Sequence, residues 1–155
     1  LELKGEIGQK THDSEAFENR DFKLDEFEFQ PSITYRPNHN FRTIFKYEYG
    51  RKENTSGDEM ALNHDLGVEV TWRRSNSSNL QLGFDLVNIS YEGEEDTPVE
   101  WEMLQGLNPG ANYLWNMSYT KRLSNSLDMI INYNGRRTGS ARSVHVFGAQ
   151  VKASF

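Results

Sequence analysis

Residues 61–72 read ALNHDLGVEVTW, and they set Leu62, His64, Leu66, Val68, Val70 and Trp72 in strict alternation with Asn63, Asp65, Gly67, Glu69 and Thr71. A helix would bring apolar residues round every third or fourth position. A period of two belongs to a β-strand whose two faces meet different surroundings. Residues 41–49, FRTIFKYEY, repeat the pattern, with Phe41, Thr43, Phe45, Tyr47 and Tyr49 set against Arg42, Ile44, Lys46 and Glu48. So do LELKGEIGQK, FEFQPSITYR, NLQLGFDLVNISY, NYLWNMSYTKR, SLDMIINYN and the terminal VHVFGAQVKASF. About eight strands of about 11 to 13 residues are predicted, with helical spacing confined to VEWEMLQGL inside a loop.

The connections take turns in length. RPNHN, RRSNSSN and RLSNS are short and rich in the Asn, Ser and Pro that tight turns favour. Those near residues 11–21, 50–61, 92–110 and GRRTGSARS are longer. Alternating short and long connections put all the short turns at one end of an antiparallel, up-and-down sheet. A weak internal repeat agrees: Tyr35, Trp72 and Tyr119 each precede a turn holding a basic residue and Asn, and Phe41, Leu80 and Leu127 follow it.

At 155 residues the chain is expected to be a single domain, either a complete barrel over 1–155 or the carboxy-terminal part of a larger one. It lacks cysteine, which removes disulfides and thiolate metal sites. A net charge of -6 argues against nucleic acid as a partner. No apolar run reaches the roughly 18 to 20 residues of a spanning helix.

Charge placement selects the solvent. The faces opposite the apolar ones carry Glu28, Arg42, Lys46, Glu69, Arg73 and Asp85, with both signs mixed. Turned toward hydrocarbon, an Arg or Lys near the midplane would cost about 2 to 4 kcal/mol. These charges therefore belong in a lumen, where they are expected to neutralise one another as a plug if the barrel has only eight strands. The alternative, a soluble lipid-binding β-barrel, would need a lumen full of charge. Strands of this length, tilted near 40°, stand about 30 Å tall, enough to cross a bilayer. Aromatic girdles are expected at both rims: Tyr35, Phe41, Trp72 and Tyr119 at the short turns, and Tyr47, Tyr49, Tyr91, Tyr113 and Tyr133 at the long loops.

The last strand ends on an aromatic, and an open strand edge in hydrocarbon would leave backbone groups unsatisfied. In a complete eight-stranded chain the last strand would meet the first. Phe147, Ala149, Val151, Ala153 and Phe155 resemble the carboxy-terminal assembly signal of bacterial outer-membrane barrels, which their insertion machinery recognises. The stretch from LQGLNPG to the end resembles the carboxy-terminal barrel region of large, mostly uncharacterised outer-membrane proteins of Bacteroidetes-type bacteria. That resemblance implies a bacterial outer-membrane location, the barrel-assembly machinery and outer-membrane lipid as partners, and a lumen wider than eight strands allow. It lends no catalytic residues.

Chemistry is sparse. His12, His39, His64 and His145 form no metal-ligand spacing, and neither His145 with Ser143 nor His12 with Asp13 is placed as a nucleophile and base should be. No catalytic, cofactor or metal site is expected. Trp101, Met103, Leu104 and Leu107 form an apolar group in the acidic loop YEGEEDTPVEWEMLQGLNPG, which has to cover either the barrel rim or another outer-membrane or surface protein. The expected function is non-enzymatic: a membrane anchor or scaffold that presents its long loops to a partner. The rival reading is a porin-like pore or translocation component of more than eight strands.

Overall fold

The computed structural model describes residues 2–12, 22–74 and 77–153, with side chains from residue 23 onward. Asp13 and Phe155 lie outside the described residues. Eight strands run in chain order through one antiparallel sheet: β1 (Glu2–His12), β2 (Phe22–Asn38), β3 (Phe41–Asn54), β4 (Met60–Arg74), β5 (Ser78–Glu92), β6 (Gly110–Ser124), β7 (Leu127–Thr138) and β8 (Val144–Ala153). Each strand pairs with its neighbours in sequence, the up-and-down order that alternating connections predict. The one helix among the described residues, α1 (Pro98–Leu104), occupies the β5–β6 connection, where VEWEMLQGL has helical spacing.

Two expectations change. The strands run longer than foreseen, with β4, β5 and β6 each 15 residues and β2 17. The polar run Arg51–Glu53 continues β3 in register with Met60–Leu62, so a connection expected over 50–61 closes as a tight hairpin. Alternation of polarity fades there while the backbone ladder continues, because ladder hydrogen bonds do not depend on side-chain polarity. The sheet is also open. Among the described residues β1 and β8 are its two edges, each paired on one side only, and β8 is exposed at every position.

The strands are staggered. Pairing carries Phe41 across the sheet to Trp72, Leu80, Tyr119, Ile131 and Ala149. Phe41 begins β3, whereas Ile131 lies four residues past the start of β7. Such a steady offset is the stagger that tilted strands need if a sheet is to curve toward closure.

The buried cluster sits at the long-connection end, on one face only. Val99, Met103 and Leu104 of α1 pack with Leu24, Ala61, Val87 and Ile89. Burying each large aliphatic side chain contributes about 1.5 to 3 kcal/mol, which fixes a helix of seven residues that could not persist alone. Its ends are specified locally. Thr97 caps the amino terminus by accepting from Glu100 N at 3.1 Å, Glu100 accepts from Asp96 N at 2.6 Å, and Pro98 opens the first turn. Gln105 and Gly106 then turn left-handed (φ 52° and 74°) and end it.

Candidate functional site

The two faces of the sheet are chemically distinct surfaces. On one, a row runs Phe45, Val68, Phe84, Trp115, Gly135 and His145 across six strands, and the row beside it runs Thr43, Val70, Leu82, Met117, Tyr133 and Phe147. This face is exposed although it is apolar: Phe45 is 50% accessible, Leu66 55% and Phe84 45%. An apolar surface this extensive marks a contact surface for a partner protein, a ligand or a membrane.

Aromatics border it at both ends. Tyr35, Phe41, Trp72 and Tyr119 lie toward the short turns, and Tyr47, Tyr49 and Tyr113 lie toward the long connections, all with apolar-face parity, whereas Tyr133 sits in mid-strand in the row of Leu82 and Met117. Tyr91 does not join them. It pairs with Ala61 on the opposite face, packs beside the α1 cluster and donates to Glu94 O at 3.1 Å. Toward the long connections the polarity of β5 inverts, with Val87, Ile89 and Tyr91 turned to the face that α1 covers.

Two tyrosine–histidine pairs recur on the apolar face. The hydroxyl of Tyr47 lies 2.7 Å from His64 Nδ1, and that of Tyr133 lies 2.8 Å from His145 Nδ1. His64 also contacts the Tyr49 ring, and His145 contacts the Trp115 ring at 5.7 Å between centroids. The Trp115 indole lies across β7 because residue 135 is glycine: a Cβ there would stand 2.2 Å from the ring. His145 is thus held by Tyr133 and Trp115. No cluster of three or more metal-ligating side chains occurs among the described residues.

The opposite face carries the charges. Glu28, Arg42, Lys46, Glu69, Arg73 and Asp85 all have the parity foreseen for them. Their pairing with one another is partial among the described residues. Lys46 bonds Glu69, whereas Glu28, Arg42, Arg73 and Asp85 have no ion-pair partner among the described residues. The arginines stand apart from the Glu48–Asp65 pair, while Lys46 and Lys52 lie among the carboxylates. Arg36, Arg42 and Arg73 gather with His39 around a small recess at the short-turn end. Glu48 faces Asp65 directly, with Glu28 and Asp85 diagonal to them on the flanking strands. Glycine makes room here too, since a Cβ at Gly67 would stand 2.6 Å from Asp85 Oδ1. Between this arc and α1 lies a cavity bordered by Glu26, Glu28, Glu48, Lys52, Met103 and Leu107, with Lys52 3.6 Å from Glu26.

The loop residues divide. Met103 and Leu104 are buried against the sheet of their own chain and are not available to a partner, and Leu107 packs against the same cluster. Trp101, 70% exposed, is the member left outside. In the carboxy-terminal strand, Phe147, Ala149, Val151 and Ala153 share the apolar face, as their spacing requires.

No protein-family model matches the chain, and comparison with curated proteins and with solved structures found nothing similar to it. No helix is long and apolar enough to cross a membrane, which says nothing of strands.

Proposed function

We propose that these strands form the wall of a transmembrane β-barrel in a bacterial outer membrane, acting without catalysis as an anchor or scaffold. In this reading the short hairpins face the periplasm, and the long connections, with Trp101 exposed on α1, are presented outside to another surface protein. The observation that carries it is the exposed apolar face, bordered by aromatics at both ends and backed by a charged face. Lipid outside and a polar lumen inside satisfy both surfaces at once; water outside would leave the rows through Phe45 and Leu82 bare. The carboxy-terminal strand, alternating from Phe147 to Ala153, supports recognition by the barrel-assembly machinery.

The test is refolding. The full chain, diluted from urea into phosphatidylcholine vesicles, is expected to gain β-structure and protease protection of its strands. A folded monomer in buffer without lipid or detergent would favour a soluble lipid-binding barrel instead.

A second reading, a pore or translocation component of more than eight strands, is favoured by the carboxylate arc and the open sheet. Like charges directly opposite each other repel, and Glu48 and Asp65 are tolerable if water reaches them. With further strands joined at the β1 and β8 edges, the lumen would be wide enough to be wet, and acidic side chains lining it would favour cations. Cation-selective conductance in planar bilayers, reduced by Glu48→Gln with Asp65→Asn, would support this reading. A silent bilayer holding folded protein would leave the anchor.

A further inference from the structure

We propose that the apolar face carries a site for the phosphate-monoester headgroup of an acidic membrane lipid, built around Arg137. The site rests on the membrane reading above. Arg137 has apolar-face parity, pairs with Tyr113 across β6 and β7, and lies next to the end of β7 at the long-connection rim. The row it terminates runs Tyr47, Leu66, Leu86 and Tyr113, and the stagger of the strands lifts its Arg137 end toward that rim.

The guanidinium borders an open groove whose other walls are Phe84, Tyr113 and Trp115 from the strands and Gly139 and Ser143 from the β7–β8 connection. Below the cation, the groove is therefore an aromatic and apolar channel along the face assigned to hydrocarbon. A cation at the top of an apolar channel matches one molecule whose acidic head is joined to an acyl chain.

Arg51 provides the internal comparison. It shares the apolar face near the same rim, yet it is bonded to Glu53. Arg137 has no carboxylate partner among the described residues, and the sole acidic residue of β6, β7 and β8 is Asp128, which pairs with Arg122 at 3.6 Å. Arg142 lies in the β7–β8 connection that borders the groove, whereas Arg136 has the parity of the opposite face. An unpaired guanidinium next to hydrocarbon takes its counter-ion from the interface, and a phosphate monoester offers two of its oxygens to the planar fork.

Trp115 lines the groove and reports on it. In the full chain carrying Trp72→Phe and Trp101→Phe, Trp115 is the single tryptophan. The protein is reconstituted in phosphatidylcholine vesicles containing brominated-acyl phosphatidic acid or, separately, brominated phosphatidylcholine at the same mole fraction. The expected result is quenching by the acidic lipid at about fivefold lower mole fraction, lost in Arg137→Gln, reduced in Arg137→Lys, which keeps the charge without the planar fork, and unaffected by millimolar inorganic phosphate. Equal quenching by both lipids would overturn the headgroup site while leaving the membrane reading intact. Competition by inorganic phosphate would replace the lipid with a soluble anion and overturn the assignment. Absence of quenching by either lipid would remove both the site and the membrane reading.

Discussion

Glu48 of β3 stands directly opposite Asp65 of β4, while Lys46, one position along the same face, bonds Glu69. Two carboxylates in register across an antiparallel pair are a liability for a folded sheet. Neutralising either, by Glu48→Gln or Asp65→Asn, is expected to stabilise the lipid-inserted protein by about 0.2 to 1 kcal/mol. The urea midpoint of the vesicle-bound protein measures this. Destabilisation by both substitutions would show that the carboxylates are held by favourable contacts.

The two faces should respond oppositely to charge. Val68 lies between the aromatic borders of the apolar face, so Val68→Arg is expected to cost about 2 to 4 kcal/mol in a bilayer. Gln81→Arg, on the charged face of the neighbouring strand, should cost well under about 1 kcal/mol. Equilibrium unfolding from vesicles compares them.

Helix α1 is held by packing and by one cap. Met103→Ala is expected to lose about 2 to 5 kcal/mol from the docking of the helix. Thr97→Ala, which removes the acceptor for Glu100 N, should lose about 1 kcal/mol. Trp101→Ala, at an exposed position, should change little. Limited proteolysis within residues 93–109 reads the order of the three.

Gly135 carries no side chain so that the Trp115 indole can cross β7 to His145. Gly135→Val is expected to displace the ring, shift the Trp115 emission and weaken the Tyr133–His145 contact. An unchanged emission spectrum in a Trp72→Phe, Trp101→Phe background would contradict the crossing.

Period-two alternation made the sheet legible because each strand meets two unlike surroundings along most of its length. ALNHDLGVEVTW placed His64 and Val68 on one face and Asp65 and Glu69 on the other, and their pairing partners agree. The same rule misplaced Tyr91. Near the long connections α1 shelters the charged face, so Ile89 and Tyr91 turn toward the helix while Asn88 and Ser90 turn the other way. Met103 and Leu104 were legible as apolar residues needing cover, and the cover is the sheet itself. The separation of carboxylates from arginines along the charged face was hidden, since it depends on register between strands, which single-strand periodicity does not encode. The open edges at β1 and β8 were hidden for the same reason.

Nitroxide scanning through residues 81–86 of β5 in lipid vesicles tests most directly whether hydrocarbon covers the apolar face. Labels at Leu82, Phe84 and Leu86 are expected to collide preferentially with oxygen, and those at Gln81, Gly83 and Asp85 with a water-soluble nickel chelate. Loss of that alternation, or its reversal, would contradict the account.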